Sequence, residues 1–213
     1  MKGLMIKEKN LILTSAKSFF IIPLFFVAAM IISVLKGHGG ANSFPVEFIF
    51  MFMGIMPISV MNTELVSKWN INCLTLPYTR RQIVASKYVS TLIVEALTLI
   101  MIILMFAVCN VMCADMSVMQ MTNMLFRGIG MGLIPAVAYL PMNFKMYDKS
   151  GAGRIVTGGL VGGICGGLNI VFMEMNFSDN SIMSGSFWFM AAMIVLFAVS
   201  WVVSVIIFEK KDC

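Results

Sequence analysis

Six apolar stretches alternate with short polar segments along the chain. Each stretch has about 20 residues, the number that a helix rising about 1.5 Å per residue needs to cross the hydrocarbon core of a bilayer. The pattern therefore predicts an all-α membrane protein in which six transmembrane helices form a single domain over residues 1–213. The predicted spans are 18–35, 46–62, 88–113, 122–142, 155–173 and 186–208.

Residues 1–17 alternate lysines with apolar residues ahead of the first predicted span. This pattern is typical of a short basic amphipathic segment that lies on the inner membrane surface. A cleaved signal peptide is the alternative, but the charged lead is long and no Ala-x-Ala cleavage site is present. We therefore expect residues 18–35 to remain in the protein as the first span.

The longest polar and basic interruption separates the second and third spans, over residues 64–87. Pro77 cannot continue a helix interior, so the chain must turn there. Thr79 followed by Gln82 has the spacing of a capping box, which predicts that a new helix starts at Arg80. No proline or glycine follows before Cys113, so this helix can run for about 34 residues, or roughly 50 Å. That exceeds the bilayer core of about 30 Å, and we expect the basic first turns to protrude as a cytoplasmic hairpin.

The fifth span contains three Gly-Gly pairs that are spaced four residues apart. Residues four apart share a helix face, and small residues let membrane helices approach closely. The pattern therefore predicts a helix-packing face, with a flexible gating helix as the alternative. No lysine follows these glycines, so they do not form a Walker A phosphate loop. The predicted packing residues are Gly158, Gly159, Gly162, Gly163, Gly166 and Gly167.

Composition and charge support the same class of protein. Hydrophobic residues make up 60% of the chain and charged residues 12%, where soluble domains carry about 25% charged residues. The net charge of +5 could suggest nucleic-acid binding, but the positions of the basic residues explain it better. All 15 lysines and arginines except Lys36 and Arg127 fall on one side of the predicted topology. By the positive-inside rule that side is cytoplasmic, so both termini are predicted to be cytoplasmic and no nucleic-acid partner is expected.

The residues needed for most catalytic and metal sites are missing. His38 is the single histidine, and no Ser-His arrangement or pair of membrane carboxylates is evident. The five cysteines form no Cys-x-x-Cys pair, so neither a zinc site nor a disulfide framework is predicted. We therefore expect that the chain is not an enzyme and holds no cofactor or metal.

Two charged residues fall inside predicted spans. Glu95 lies seven residues past Tyr88, roughly 10 Å into the membrane, where a charge is costly and is by default a functional candidate. The alternative is a protonated or snorkelling carboxyl that is bonded within the bundle. Arg127 falls near the outer end of the fourth span, and Asp115 is its predicted partner.

The segment from Leu76 to Tyr88 reads Leu-Pro-Tyr-Thr-Arg-Arg-Gln-Ile-Val-Ala-Ser-Lys-Tyr. It resembles a segment of small ATP-binding-cassette type-2 permeases, which are bacterial exporter subunits with six spans, inner termini and a basic amphipathic start. Those features cover the whole chain. The resemblance implies a location in the bacterial cytoplasmic membrane, in contact with lipid.

The resemblance also implies partners. A separate ATPase subunit would carry ATP and Mg, and a second permease subunit, identical or different, would complete a dimer around the translocation path. In this family the loop between the second and third spans resembles a coupling helix that touches the ATPase. The residues that this would assign to coupling are Pro77, Tyr78, Thr79, Arg80, Arg81 and Gln82. The alternatives are a stand-alone membrane scaffold or immunity protein without a motor, and an integral subunit of an importer.

Overall fold

The computed structural model describes residues 2–19, 21, 23–28, 44–66, 78–112, 118–145, 163, 167 and 179–210. Within these ranges the regular structure is entirely helical, which confirms the predicted all-α class. The five long helices are α1 Lys2–Phe19, α2 Phe44–Val66, α3 Arg80–Met112, α4 Val118–Lys145 and α5 Asp179–Glu209. Residues 23–28 are also helical.

Three helices are long and apolar enough to cross a membrane: Arg80–Val108 of α3, Val118–Lys145 of α4 and Gly185–Glu209 of α5. A shorter apolar helical stretch covers Val46–Met61 of α2. These four stretches correspond to the predicted third, fourth, sixth and second spans. Most of the predicted first and fifth spans lies outside the described residues, so the count of six stays a prediction.

The start and the length of α3 agree with the sequence prediction. The Gln82 backbone N–H donates to Thr79 Oγ1 at 3.4 Å, and the Thr79 backbone N–H donates to Gln82 Oε1 at 3.2 Å. This reciprocal pair is a capping box, which satisfies two of the donors that a helix N-terminus leaves open. From this cap α3 continues for 33 residues.

The start of α3 and the ends of α4 and α5 lie at one end of the bundle, here named the Arg80 end. Arg81 Nε lies 2.6 Å from Glu209 Oε1, so the first turn of α3 meets the last turn of α5. The rings of Phe144 and Phe208 are 5.3 Å apart, which brings the last turn of α4 to the same place. It follows that α3 runs antiparallel to α4 and α5.

The opposite end of the bundle, here named the Arg127 end, contains the first turn of α2 and the beginnings of α4 and α5. Arg127 of α4 pairs there with Glu47 of α2, and the rings of Phe126 and Phe187 are 5.8 Å apart. The start of α1 lies instead at the Arg80 end, because Lys87 of α3 contacts Glu8. The first and the last described residues therefore share one end of the bundle.

The N-terminal helix is more closely integrated than a segment lying on the membrane surface. Leu4 and Glu8 of α1 are both buried, and Leu4 belongs to the apolar core at the Arg80 end. The helix also continues without a break to Phe19, across the predicted boundary between residues 17 and 18. The sequence pattern suggested an apolar face but did not indicate that protein would cover it.

The closest approach that glycines allow within the described residues is between α2 and α4. A Cβ atom added to Gly54 would overlap the carbonyl oxygen of Gly132, and one added to Gly128 would overlap the ring of Phe50. The predicted packing glycines of the fifth span mostly lie outside the described residues. For Gly163 and Gly167, which are described, an added Cβ has no atom within 4 Å. Their packing role stays a prediction.

Large apolar side chains cover the outer faces of α3 and α5. On α3 they recur three or four residues apart, which places them on one side of the helix. In a bilayer these faces would meet lipid, consistent with the apolar length of both helices. The exposed residues include Leu92, Ile93, Leu97, Ile100 and Leu104 of α3, and Ile194, Val195, Val199 and Val202 of α5.

Candidate functional site

Charged side chains are buried inside the bundle at three levels between its two ends. The first group surrounds Lys87 at the Arg80 end. The second level is Glu95, and the third is the pair of Glu47 and Arg127 at the opposite end. Buried charges are costly in an apolar bundle and are retained when they are paired or serve a function. These levels and the first turn of α3 form the candidate functional site.

Lys87 joins three helices through buried ion pairs. Its Nζ atom lies 2.5 Å from Glu8 Oε1 of α1 and 2.5 Å from Glu64 Oε2 of α2. Lys7 Nζ contacts the other oxygen of Glu64. We name Lys7, Glu8, Glu64 and Lys87 the Lys87 cluster; its two carboxylates and two ammonium groups balance in formal charge. The sequence analysis counted Lys87 only as a basic residue that helps to set orientation.

Burial shifts the titration of the two α1 members of the Lys87 cluster. Loss of water raises the pKa of Glu8, although the attraction of Lys87 opposes this effect. Loss of water likewise lowers the pKa of Lys7, against its hydrogen bond to Glu64. Both shifts favour the neutral forms, as expected for charges that leave water. The cluster is therefore a costly arrangement that its ion pairs must offset.

Hydroxyl groups next to Lys87 are satisfied within α3 itself. Ser90 Oγ and Thr91 Oγ1 donate to the Lys87 carbonyl oxygen at 2.8 and 3.0 Å. Thr98 Oγ1 donates to the Val94 carbonyl at 2.9 Å in the same way. Such bonds let serine and threonine sit in an apolar setting without an external partner.

The first turn of α3 is tied to the end of α5. Arg80 Nη1 donates to the carbonyl oxygens of Phe208 and Glu209, at 3.2 and 2.9 Å. These carbonyls belong to the last turn of α5, where a helix lacks internal donors and favours a positive charge. Arg81, whose side chain is 73% exposed, forms the ion pair with Glu209 described above.

The other predicted coupling residues surround this contact. Tyr78 is half-buried against the core of the Arg80 end, and its hydroxyl approaches Gly3 of α1. Thr79 and Gln82 form the cap of α3. Pro77 lies outside the described residues. Residues 78–82 thus lie beside the start of α1 and the end of α5. Their role in coupling stays a prediction.

A second polar contact joins α3 to α5 about two turns further along α3. The Tyr88 hydroxyl is hydrogen bonded to Ser200 Oγ and Ser204 Oγ, both at 2.8 Å. Ser200 Oγ in turn donates to the Val137 carbonyl of α4 at 2.9 Å. The sequence analysis missed this network, although two serines four residues apart in the last span share a helix face and were a usable signal.

Glu95 lies at the contact between α2 and α4. The residue is 6% exposed, and neither carboxyl oxygen has a hydrogen-bond partner in the part of the chain that the structure describes. A Cβ atom added to Gly132 would lie 2.5 Å from Oε1, and one added to Gly54 would lie 3.0 Å from it. Of the two interpretations offered for Glu95, the hydrogen-bonded carboxyl therefore finds no partner among the described residues.

Arg127 pairs with an acidic residue that the sequence did not indicate. Arg127 Nε lies 3.0 Å from Glu47 Oε1, and both side chains are largely buried. Asp115, the partner predicted from the sequence, lies outside the described residues, so that pairing stays a prediction. The pairing with Glu47 follows from the packing of α2 on α4, which brings the first turn of α2 beside the first half of α4.

The acidic partners Glu8, Glu64 and Glu47 were not singled out from the sequence. Glu47 and Glu64 lie at or near the ends of an apolar stretch and Glu8 lies in the basic N-terminal segment, and each meets a basic residue of a later helix. Opposite charges in separate spans are a usable signal for pairing, because an unpaired charge there is costly. Within the described residues, no group of three metal-ligating side chains is placed to hold a metal ion.

One family model matches the chain. It is described as an ABC-2 family transporter protein, and it covers residues 4–209 of the 213. The match includes every level of buried charge and the whole first turn of α3. No curated protein and no solved structure matches the chain. Together with the apolar helices, this match shows that the chain belongs to the ABC-2 transporter family, as an ABC-2-type permease.

Proposed function

We propose that the chain is the membrane-spanning subunit of an ATP-driven exporter in the bacterial cytoplasmic membrane. It would act as a dimer whose two copies, or this chain and a related one, enclose the translocation path. ATP and Mg would bind to separate ATPase subunits. Permeases of this family are generally the non-catalytic membrane component of an ABC transporter, which supports a separate motor.

The main support for this proposal is the length and position of α3. The helix begins at a capping box and continues for 33 residues, roughly 50 Å, while a bilayer core is about 30 Å thick. A rigid helix that starts outside the membrane and crosses it carries motion from one compartment to the other. The hairpin of residues 64–87, which includes the first turns of α3, is the surface on which we expect the ATPase to act.

The contacts of α3 suggest how a push on its first turn would spread. Arg80 and Arg81 connect that turn to the last turn of α5. Lys87, about two turns further along, connects it to α1 and α2 through Glu8 and Glu64. A displacement of the first turn of α3 would therefore reach three other helices directly. This supports a coupling role for residues 78–82.

The test is a double substitution, Tyr78→Ala with Arg81→Ala. Truncating a buried interface anchor typically costs about 2 kcal/mol or more of binding free energy, so this variant should lose the ATPase during purification from native membranes. Glu209→Ala is the matched control. It removes the partner of Arg81 within the chain but leaves the proposed interface intact, so the ATPase should stay bound.

A topology reporter on the same variants shows whether membrane insertion has survived. If the double variant inserts normally and retains the ATPase at the wild-type ratio, the coupling surface lies elsewhere, and the 145–154 segment is the next candidate. A scaffold or immunity protein would copurify with no ATPase at all. An importer subunit would bind the ATPase but move its substrate inward in membrane vesicles.

A further inference from the structure

Glu95 is a buried carboxyl that has no hydrogen-bond partner among the described residues. Its side chain extends from α3 into the place where α2 and α4 cross, and both of its oxygens are shielded from solvent. No hydrogen-bond donor contacts either oxygen within the described ranges. The two surfaces that face it are the backbones of Gly54 and Gly132, which lack the side chain that would fill its space.

The charged groups described on the neighbouring helices do not pair with Glu95, because they form other contacts or lie at the ends of the bundle. On α3 the nearest is Lys87, eight residues away or about 12 Å along the axis, and it holds Glu8 of α1 and Glu64 of α2. On α4 the nearest is Arg127, which is paired with Glu47 of α2. The other charged residues of these helices whose side chains the structure describes lie at the Arg80 end, and they are Lys7, Lys9, Arg80, Arg81, Lys145 and Glu209.

Among the described residues, an ionised carboxylate in this position would have neither a counter-charge nor a hydrogen-bond donor. The free-energy penalty for such a buried charge is several kcal/mol, and a protonated carboxyl avoids most of it. We propose that Glu95 is a proton-binding site of the closed crossing between α2 and α4. The carboxyl holds a proton while the two glycines are in contact with it, and releases that proton to water when the helices separate.

The release step needs the helices to move, because water cannot reach either oxygen in the closed arrangement. On separation the O–H bond of the carboxyl breaks, the proton passes to water, and the carboxylate gains a hydration shell in place of its apolar surroundings. The site requires only this chain. It is therefore independent of the proposed ATPase partner and goes beyond the proposed export function.

The experiment is infrared spectroscopy of the purified full chain in detergent near neutral pH. The C=O stretch of an un-ionised carboxyl is separated from the bands of ionised carboxylates. We expect wild-type protein to show this band with the intensity of one buried carboxyl that Glu95→Gln removes. Glu8→Gln is the matched control, because it removes another buried carboxyl, one that is ion-paired with Lys87, and should leave the Glu95 band in place.

The proposal is overturned if wild-type protein has no such band, or if Glu95→Gln leaves it unchanged. Should Glu95→Gln fail to fold, wild-type protein alone decides the question. The band should persist at a pH where exposed carboxyls are ionised and vanish at the same pH when the chain is unfolded. A band that titrates with the exposed carboxyls would show that Glu95 is open to water, and would equally overturn the proposal.

Discussion

Lys87 is the residue on which the Arg80 end of the bundle depends most directly. Its side chain is 5% exposed and forms ion pairs with two carboxylates that belong to different helices. The net contribution of a buried ion pair to stability is often small, but removing one partner leaves an uncompensated buried charge. The two glutamates are therefore tolerated because Lys87 is present.

We expect Lys87→Met to lower the stability of the protein in detergent by about 3–5 kcal/mol, because Glu8 and Glu64 would lose their shared partner. Thermal unfolding followed by circular dichroism measures the change. Adding Glu8→Gln and Glu64→Gln to the Lys87→Met variant should recover most of the loss, since no buried carboxylate then remains in the cluster. If the triple variant is no more stable than Lys87→Met alone, the loss arises from packing rather than from charge.

Stability should also depend on pH through Glu8. Burial raises the pKa of this carboxyl above its ordinary value of 4.5, so the folded state holds the proton more tightly than the unfolded state does. The contribution from Glu8 is fully present below pH 4.5 and is lost as pH rises through the raised pKa. We expect Glu8→Gln to flatten this part of the dependence of Tm on pH. A wild-type slope that is unchanged in Glu8→Gln would assign the effect to another group.

At the scale of elements, the crossing of α2 and α4 places Gly54 and Gly132 against atoms that leave no room for a side chain. Gly132 faces the carboxyl of Glu95, whereas Gly54 faces the backbone carbonyl of Gly132. The two glycines therefore make room for different atoms. The side chain that faces Gly132 can be removed by a second substitution, whereas the backbone carbonyl that faces Gly54 cannot.

This difference predicts an asymmetric pattern of rescue. Gly132→Ala should destabilise the fold, because the new methyl group would lie 2.5 Å from Oε1 and 2.6 Å from Oε2 of Glu95. Adding Glu95→Ala removes the obstructing carboxyl and should restore much of the stability. Gly54→Ala should be destabilising as well, yet gain little from Glu95→Ala, because its methyl group meets the Gly132 carbonyl. The melting temperatures of the four variants provide the comparison, and equal rescue of both glycine variants would contradict the geometry.

The elements that were predicted best are those whose signals are local. Thr79, Gln82 and the run without proline or glycine specify the start and length of α3 within one stretch of sequence. The pairing of Arg127 with Glu47 could not be predicted from such local signals. It depends on which helices are neighbours and how each is rotated, and neither follows from an apolar stretch alone.

The close-packing glycines illustrate the same limit. The repeated Gly-Gly pattern predicts close packing in the fifth span, whereas the close contacts that the structure describes involve Gly54 of α2 and Gly128, Gly130 and Gly132 of α4, none of which belongs to a Gly-Gly pair. A lone glycine in a span does not show whether it faces lipid or another helix. Its function becomes evident only when the opposite surface is known, which in this case is Glu95 or a carbonyl group.

At the scale of the whole molecule, the first and last described residues lie at the Arg80 end, together with most of the basic residues of the described helices. By the positive-inside rule we expect that end to face the cytoplasm. We expect single cysteines at His38 and Asp179, in a background without the native cysteines, to react with an impermeant maleimide on intact cells. A cysteine at Asp148 should react only after the cells are opened. Labelling at Asp148 from outside would contradict the proposed orientation.

The order in which the ion-pairing residues are synthesised has a consequence for biogenesis. Glu8 and Glu64 leave the ribosome before Lys87, and Glu47 leaves it before Arg127. A nascent chain that has completed α1 and α2 thus carries acidic residues whose basic partners on α3 and α4 do not yet exist. Chains that stop ahead of Lys87 should therefore be degraded faster, in a pulse–chase experiment, than chains that extend past Arg127. Equal half-lives would mean that α1 and α2 are stable in the membrane without their basic partners. A difference would mean that the synthesis of α3 and α4 is the step after which the chain is protected from degradation.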